Sequence, residues 1–317
     1  MYSNDIGSID AILKTIGWSS ELDVRTVNGN PWLREMEFQG DYVSLYATEN
    51  KEHVRFAFTH DQEIKAVGLG SPKAIFMSLG MGNLLCCFVN RILASQAVLE
   101  FRFGNYMFQP IISNLDKTIQ EHLAGEIFNW NSPATSWRYD PRQVELFRYI
   151  LVCLTRFVVL HEAGHIFFDH YRTIGQIATH DNSRYKLSRQ AGELVADTFA
   201  LSRLQWLINV DPLMPELKSC LGPNVHAWLL PDSYRRAVFG LFIAGLVFRL
   251  FDKRTDQISA AYKATHPSPL FRLHRLLNHV ATNKDEEFTA AKRDSMVSEA
   301  NMISSSVQAY PVDTHTH

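Results

Sequence analysis

From Val144 to His170 the chain reads VELFRYILVCLTRFVVLHEAGHIFFDH, apolar almost all round with charges only at isolated positions. A helix of that composition belongs at the centre of a fold rather than on its surface. Its start is marked locally: Asp140 can cap, Pro141 suits the first helical position, and Gln143 stands where a capping box takes Glu or Gln. Ser188 can cap a second helix, RQAGELVADTFALSRLQWLI. A third apolar helix is predicted over about 234–251 and a fourth over about 268–282.

Before Asp140 the period changes. Asp41 to Ala47 (DYVSLYA) and His53 to Phe58 (HVRFAF) alternate polar and apolar residues, which predicts two half-buried strands with a turn at Thr48 to Lys51. Ala74 to Leu99 is apolar and predicts a helix that starts only after Gly80 and Gly82. Phe101 to Phe108 predicts a further short strand, turning at Gly104 and Asn105. The expected class is therefore α+β, mainly α-helical, with a small N-terminal β-containing region. The expected division is 1–110, an α/β region packed on the rest; 111–290, a helical domain; and 291–317, a polar, Ser-rich flexible tail. No internal repeat is apparent.

With 46% hydrophobic and 20% charged residues, the composition is that of a globular protein and far from disorder. A net charge of −2 with scattered Lys and Arg gives no electrostatic footprint for nucleic acid, so no nucleic-acid partner is expected. Cys86, Cys87, Cys153 and Cys220 form no CxxC pair and stand among apolar neighbours, as reduced thiols of a cytoplasmic protein do. The N-terminus carries no basic stretch followed by an apolar run, so no secretory signal is read there. Two segments test as membrane spans. Ala237 to Phe248 is flanked by arginines, and Leu146 to Leu160 is interrupted by Arg148 and Arg156. A span needs about 20 apolar residues, so both read as buried core helices and no membrane insertion is expected.

Within the central helix, His161 to His165 spell HEAGH, an HExxH motif. Residues four apart share a helix face, so both imidazoles can reach one ion about 2.0–2.1 Å from each nitrogen. Glu162 lies one residue round, beside the ion, where a general base can take a proton from metal-bound water. Shuffling a chain with these 13 His would produce the pattern in only about 3% of cases. The three polar groups stand on an otherwise apolar helix, where uncompensated polar groups are costly. Gly164 costs about 1 kcal/mol against Ala in a helix interior, and with Ala163 it implies close packing there.

A catalytic zinc site takes three protein ligands and leaves one position open. Glu193, in GELVAD on the next helix, is the expected third ligand. Asp197 follows it by one turn, on the same face, and is placed to accept the free N–H of a ligating histidine. His170 and His180 compete for the ligand role. A metzincin would carry HExxHxxGxxH, but Phe168 replaces that Gly and Tyr171 stands at the third His. His170 is expected instead at the helix end or near the mouth of the cleft, and His180 on an exposed loop.

HEAGH, ExxAD at Glu193 to Asp197 and THPSPLFRL at Thr265 to Leu273 together resemble the gluzincin metallopeptidases. The order is similar to that of the HtpX and CAAX-prenyl-protease type, and closer to the soluble phage-exclusion Lit-type peptidases with HExxH, ExxAD and HP-x-x-x-x-R. ImmA-type peptidases, which cleave repressors, are a further relative in pattern. The resemblance covers about residues 140–280 and leaves the N-terminal region unmatched. It implies a zincin-like fold, one Zn²⁺, and His266 over the site as a donor to the developing oxyanion. It also implies that Arg272 ties its segment to an acidic partner. Tyr262 is a weaker oxyanion candidate.

The function this implies is that of a zinc-dependent metalloendopeptidase acting on a protein or peptide substrate inside the cell. Glu162 serves as base and later delivers the proton to the leaving amine. The Lit-type resemblance adds a role in phage exclusion and antiviral defence. Three other readings compete: a catalytically silent zincin-fold regulatory or protein-binding module, a structural zinc site closed by a fourth ligand such as His170, and a metal-free helical domain. The substrate, the activation signal and the oligomeric state are not legible in the chain.

Overall fold

The computed structural model describes residues 6–22, 24–47, 54–71, 73–94, 128–129, 131, 137–170, 182–210, 240–241, 243–248 and 267–282. Among these the elements run α1 (Ile6–Thr15), α2 (Val24–Gly29), α3 (Pro31–Ala47), β1 (Arg55–Thr59), β2 (Ala66–Gly70), β3 (Lys73–Ser78), α4 (Leu79–Ala94), α5 (Pro141–Phe167), α6 (Asn182–Val210) and α7 (Pro269–Thr282). Residues 240–241 and 243–248 are also helical. The protein is thus mainly helical with one small sheet.

The organising element is α5. Asp140 opens it, its carbonyl accepting the N–H groups of Gln143 (3.0 Å) and Val144 (3.1 Å), with Pro141 next. Along α5, Phe147, Leu151, Leu154 and Leu160 are fully buried, and even Arg156 is inaccessible. Arg156 donates from Nε and Nη2 to Gln39 Oε1 on α3, at 2.9 and 2.6 Å. Gln39 in turn donates to Glu35 at 2.8 Å, which brings an acidic group into the network. The stretch Gln143–Phe167 is long and apolar enough to cross a membrane, yet its apolar part is buried inside the fold. It is the core of the molecule.

The sheet has the order β1–β3–β2, with β1 parallel to β3 and β2 antiparallel to it. Period-2 alternation divides its side chains between two layers. Phe56, Phe58, Ile75 and Met77 join the main core with α3, α4 and α5. Ala57, Ala74 and Phe76 face the other way onto Ile9 and Leu13 of α1. Among the described strands β2 is an edge, and it runs against α5.

Three expectations are corrected here. The segment Asp41–Ala47, expected as a strand, is the end of helix α3. Leu33, Met36, Gln39, Gly40 and Val43 recur at helical spacing and are buried, and Asn30 starts the helix, its Oδ1 accepting from the N–H of Trp32 (3.0 Å) and Leu33 (3.3 Å). Within the apolar stretch Ala74–Leu99, residues up to Ser78 form strand β3, and the helix expected to start only after Gly80 and Gly82 begins at Leu79, as α4, with both glycines inside it. Ser78 caps it, Oγ accepting from Met81 N–H at 3.0 Å. A Cβ at Gly80 would collide with the Gln62 carbonyl, and one at Gly82 would press on Phe58 and Leu33. The glycines let a loop and α3 approach the helix and do not end it. Helix α6 begins at Asn182, six residues before the expected cap at Ser188. The strand expected at Phe101–Phe108, the turn at Thr48–Lys51 and the tail at 291–317 lie outside the described residues.

Candidate metal centre

Helices α5 and α6 approach each other closely at Gly164, where α5 has no side chain. A Cβ on Gly164 would sit 3.0 Å from Ala196 Cα and 3.3 Å from Ala196 Cβ. That contact sets one turn of α5, carrying His161 and His165, against the turn of α6 carrying Glu193 and Asp197. All four side chains are buried. His161 Nε2 is 3.2 Å from His165 Nε2. Glu193 spans the pair, with Oε2 3.3 Å from His161 Nε2 and Oε1 3.5 Å from His165 Nε2.

These three residues can hold a metal ion, since each offers a ligand atom and all lie within 4.8 Å of one another. The edges of the triangle test the fit. Ligands about 2.0–2.1 Å from a tetrahedral ion stand about 3.4 Å apart; the two imidazole nitrogens are 3.2 Å apart, and each has a different Glu193 oxygen near it, at 3.3 and 3.5 Å. Two imidazoles and a carboxylate, buried and converging, suit a divalent cation.

Behind this triangle lies a layer of support. His161 Nδ1 is 2.9 Å from Asp197 Oδ1. The distance is that of a hydrogen bond, but the N–H is not aimed along it, since the same nitrogen finds no aligned acceptor. It is a close charge contact. Asp197 is gripped from its other side by Arg272 of α7, with Nε to Oδ2 at 2.7 Å and Nη2 to Oδ1 at 2.6 Å. That bidentate pair is fully enclosed, and the guanidinium also lies 4.4 Å from the Phe248 ring and 3.6 Å from Glu193.

The electrostatics follow from burial set against these partners. Burial would push His161 down, but Asp197 and Glu193 beside it outweigh that and carry its pKa to about 10. His165 goes the other way, down to about 3: burial dominates, and the pull of Glu193 is opposed by the neighbouring His161 and His170. Burial would raise Glu193 and Asp197 too, yet both are lowered, Glu193 by the two imidazoles and Arg272, Asp197 mainly by Arg272. With its pKa raised, His161 holds a second ring proton at neutral pH, and a cation competes with that proton.

Glu162 points to the opposite neighbour. Its Oε2 accepts the Gly68 N–H of β2 at 2.8 Å, across 94 residues of sequence. Burial raises its pKa above the ordinary 4.5, with the His161 charge opposing and the Glu193 charge adding. Gly68 was not singled out by the sequence, where GLG in an alternating run reads only as a weakened strand. It is glycine because β2 passes so close to α5 that a Cβ would lie 2.7 Å from the Glu162 carbonyl oxygen and 3.1 Å from Ile166. Gly68→Ala should push the strand off the helix and destabilise the protein by about 1–3 kcal/mol. Urea unfolding tests this, and an unchanged midpoint would show that the strand can shift freely.

His170, a competing ligand by sequence, lies behind His165 and outside the triangle, its Nδ1 3.0 Å from His165 Nδ1. His180, Tyr262, His266 and Cys220 fall outside the described residues. Comparison with protein-family models, with curated proteins and with solved structures found no match to this chain.

Proposed function

We propose that the chain is a zinc-dependent endopeptidase of zincin-like, gluzincin type, with His161, His165 and Glu193 as ligands and Glu162 as general base. The observation that carries this reading is the buried convergence of two imidazoles and one carboxylate beside a second, separately anchored carboxylate. A His₂Glu set with an open position is a catalytic zinc set. When bound there, the ion supplies polarisation of a carbonyl and acidification of water.

The chain's own residues supply the rest. Gly68 N–H holds one oxygen of Glu162, so the carboxylate is oriented before substrate arrives. Burial raises its proton affinity toward the working range of a base, and the same group then returns the proton to the leaving amine. Asp197, fixed by Arg272, keeps His161 turned with Nε2 toward Glu193.

A peptide substrate is favoured by the motif resemblance and by β2. Its Gly68 N–H points toward Glu162, and among the described strands β2 is an edge lying beside the site. Extended chains are the ligands that such edges accept. The Lit-type resemblance makes an intracellular protein the proposed substrate, with phage exclusion as the setting and the cytoplasm as the compartment.

Metal analysis of the full-length protein, dialysed after exposure to zinc, tests the reading. The wild type should keep about one zinc per chain, as a single three-ligand site requires, and Glu193→Ala should lose it. Equal zinc in the two proteins would remove Glu193 from the ligand set; a wild type that keeps none would end the reading.

A further inference from the structure

His165 uses its two ring nitrogens in opposite directions. Nε2 faces His161 Nε2 at 3.2 Å and Glu193 Oε1 at 3.5 Å, inside the ligand triangle. Nδ1 faces His170 Nδ1 at 3.0 Å, outside it. A hydrogen bond between two imidazole nitrogens needs one donor and one acceptor. For Nε2 of His165 to give its lone pair to a cation, its proton must sit on Nδ1. His165 then donates and His170 accepts, which makes His170 the Nε2–H tautomer.

The local backbone is arranged to deliver this ring. Helix α5 ends at Phe167, where Phe168 N–H still bonds Gly164 O at 3.0 Å and Asp169 N–H bonds Ile166 O at 3.1 Å. Asp169 then takes a φ of 50°, the only positive value at a non-glycine position among the described residues. That left-handed step is uncommon and costs energy for a residue with a Cβ. It turns the chain back so that His170, only five residues on, returns beside His165. The His170 ring stacks on Phe168, with centroids 5.6 Å apart and planes at 17°. On α6 the space for it is left by Gly192, where a Cβ would come within 3.3 Å of His170 Nδ1. The next residue of α6 is the ligand Glu193.

We propose that His170 is a positioning residue for the metal centre, fixing His165 in the tautomer and orientation that present Nε2 to the ion. This rests on the metal-site reading above. It also gives the two histidines different backing, a carboxylate clamped by an arginine behind His161 and an uncharged acceptor behind His165.

The test is zinc affinity of the full-length protein, measured by competition with a chromophoric chelator, for wild type, His170→Phe and His170→Gln. Loss of an outer-shell partner of a ligating histidine costs about 10–100-fold in affinity. His170→Phe should show that loss, while His170→Gln, whose amide oxygen can accept from Nδ1–H, should recover most of it. His170→Ala removes the acceptor without adding bulk and stands in if the phenylalanine variant does not fold. Wild-type affinity in the Phe and Ala variants would overturn the proposal while leaving the metal site intact. Equal loss in Gln and Phe would overturn it as well, because volume rather than an acceptor would then be the cause. A wild type that binds no zinc would remove the metal-site reading and this proposal together.

Discussion

A Glu162→Gln protein is expected to keep its zinc and to lose cleavage by roughly 10²–10⁴-fold, the share that a positioned general base contributes. The substitution is nearly isosteric. An amide oxygen can still accept the Gly68 N–H that holds Glu162 Oε2 at 2.8 Å, so the side chain should stay where it is. Glu162 is not among the residues that converge on the ion site, so metal content should not change. What the amide cannot do is take up a proton, and burial has set Glu162 to do that more readily than an ordinary carboxylate. Comparing new protein N-termini in cells carrying the wild type or the variant would identify both the activity and its substrate. Retained turnover in the zinc-loaded variant would rule out Glu162 as the base, and identical N-termini with an inactive wild type would favour a silent binding module.

Arg272→Ala should strongly destabilise the protein. It leaves the Asp197 carboxylate buried with its bidentate partner gone, and breaking a buried pair from one side costs about 3–5 kcal/mol. At roughly 2–4 °C per kcal/mol the melting temperature should fall by about 6–20 °C. Arg272→Lys should recover little of it, since an ammonium cannot reproduce the two-pronged contact. The loss has a pH signature. Asp197 has its folded pKa held below the ordinary 3.8, chiefly by Arg272. Its stabilising contribution is thus complete above that value and is lost as pH falls through the depressed one. The gap between wild type and Arg272→Ala should therefore be widest near neutral pH and narrow below about pH 4. A gap that does not change with pH would mean that Arg272 acts through its packing on Phe248.

How much of this could be read in advance depended on the range of the forces involved. The helix from Pro141 carrying HEAGH was legible because its signals are local: a proline and cap at the start, unbroken apolarity along it, and an i, i+4 pair that one helix turn puts on one face. The same holds for α7, whose start at Pro269 stands in the sequence. Local reading failed where two periods fit the same residues. DYVSLYA alternates, but Val43 continues the helical spacing of Leu33, Met36 and Gly40, and the cap at Asn30 decides for a helix.

By itself, then, the sequence determined the apolar central helix, the pair of imidazoles on it with Glu162 beside them, and an acidic pair one turn apart on another helix. Only the tertiary structure decided that the acidic pair faces the imidazoles, because the Gly164–Ala196 contact that brings the helices together is a matter of packing between distant segments. It alone brought Gly68 to Glu162, Arg272 to Asp197 and His170 behind His165. Each of those contacts is a single hydrogen bond or ion pair with no period along the chain. Their partners become visible only in the folded chain, where burial drives enclosed polar groups to pair.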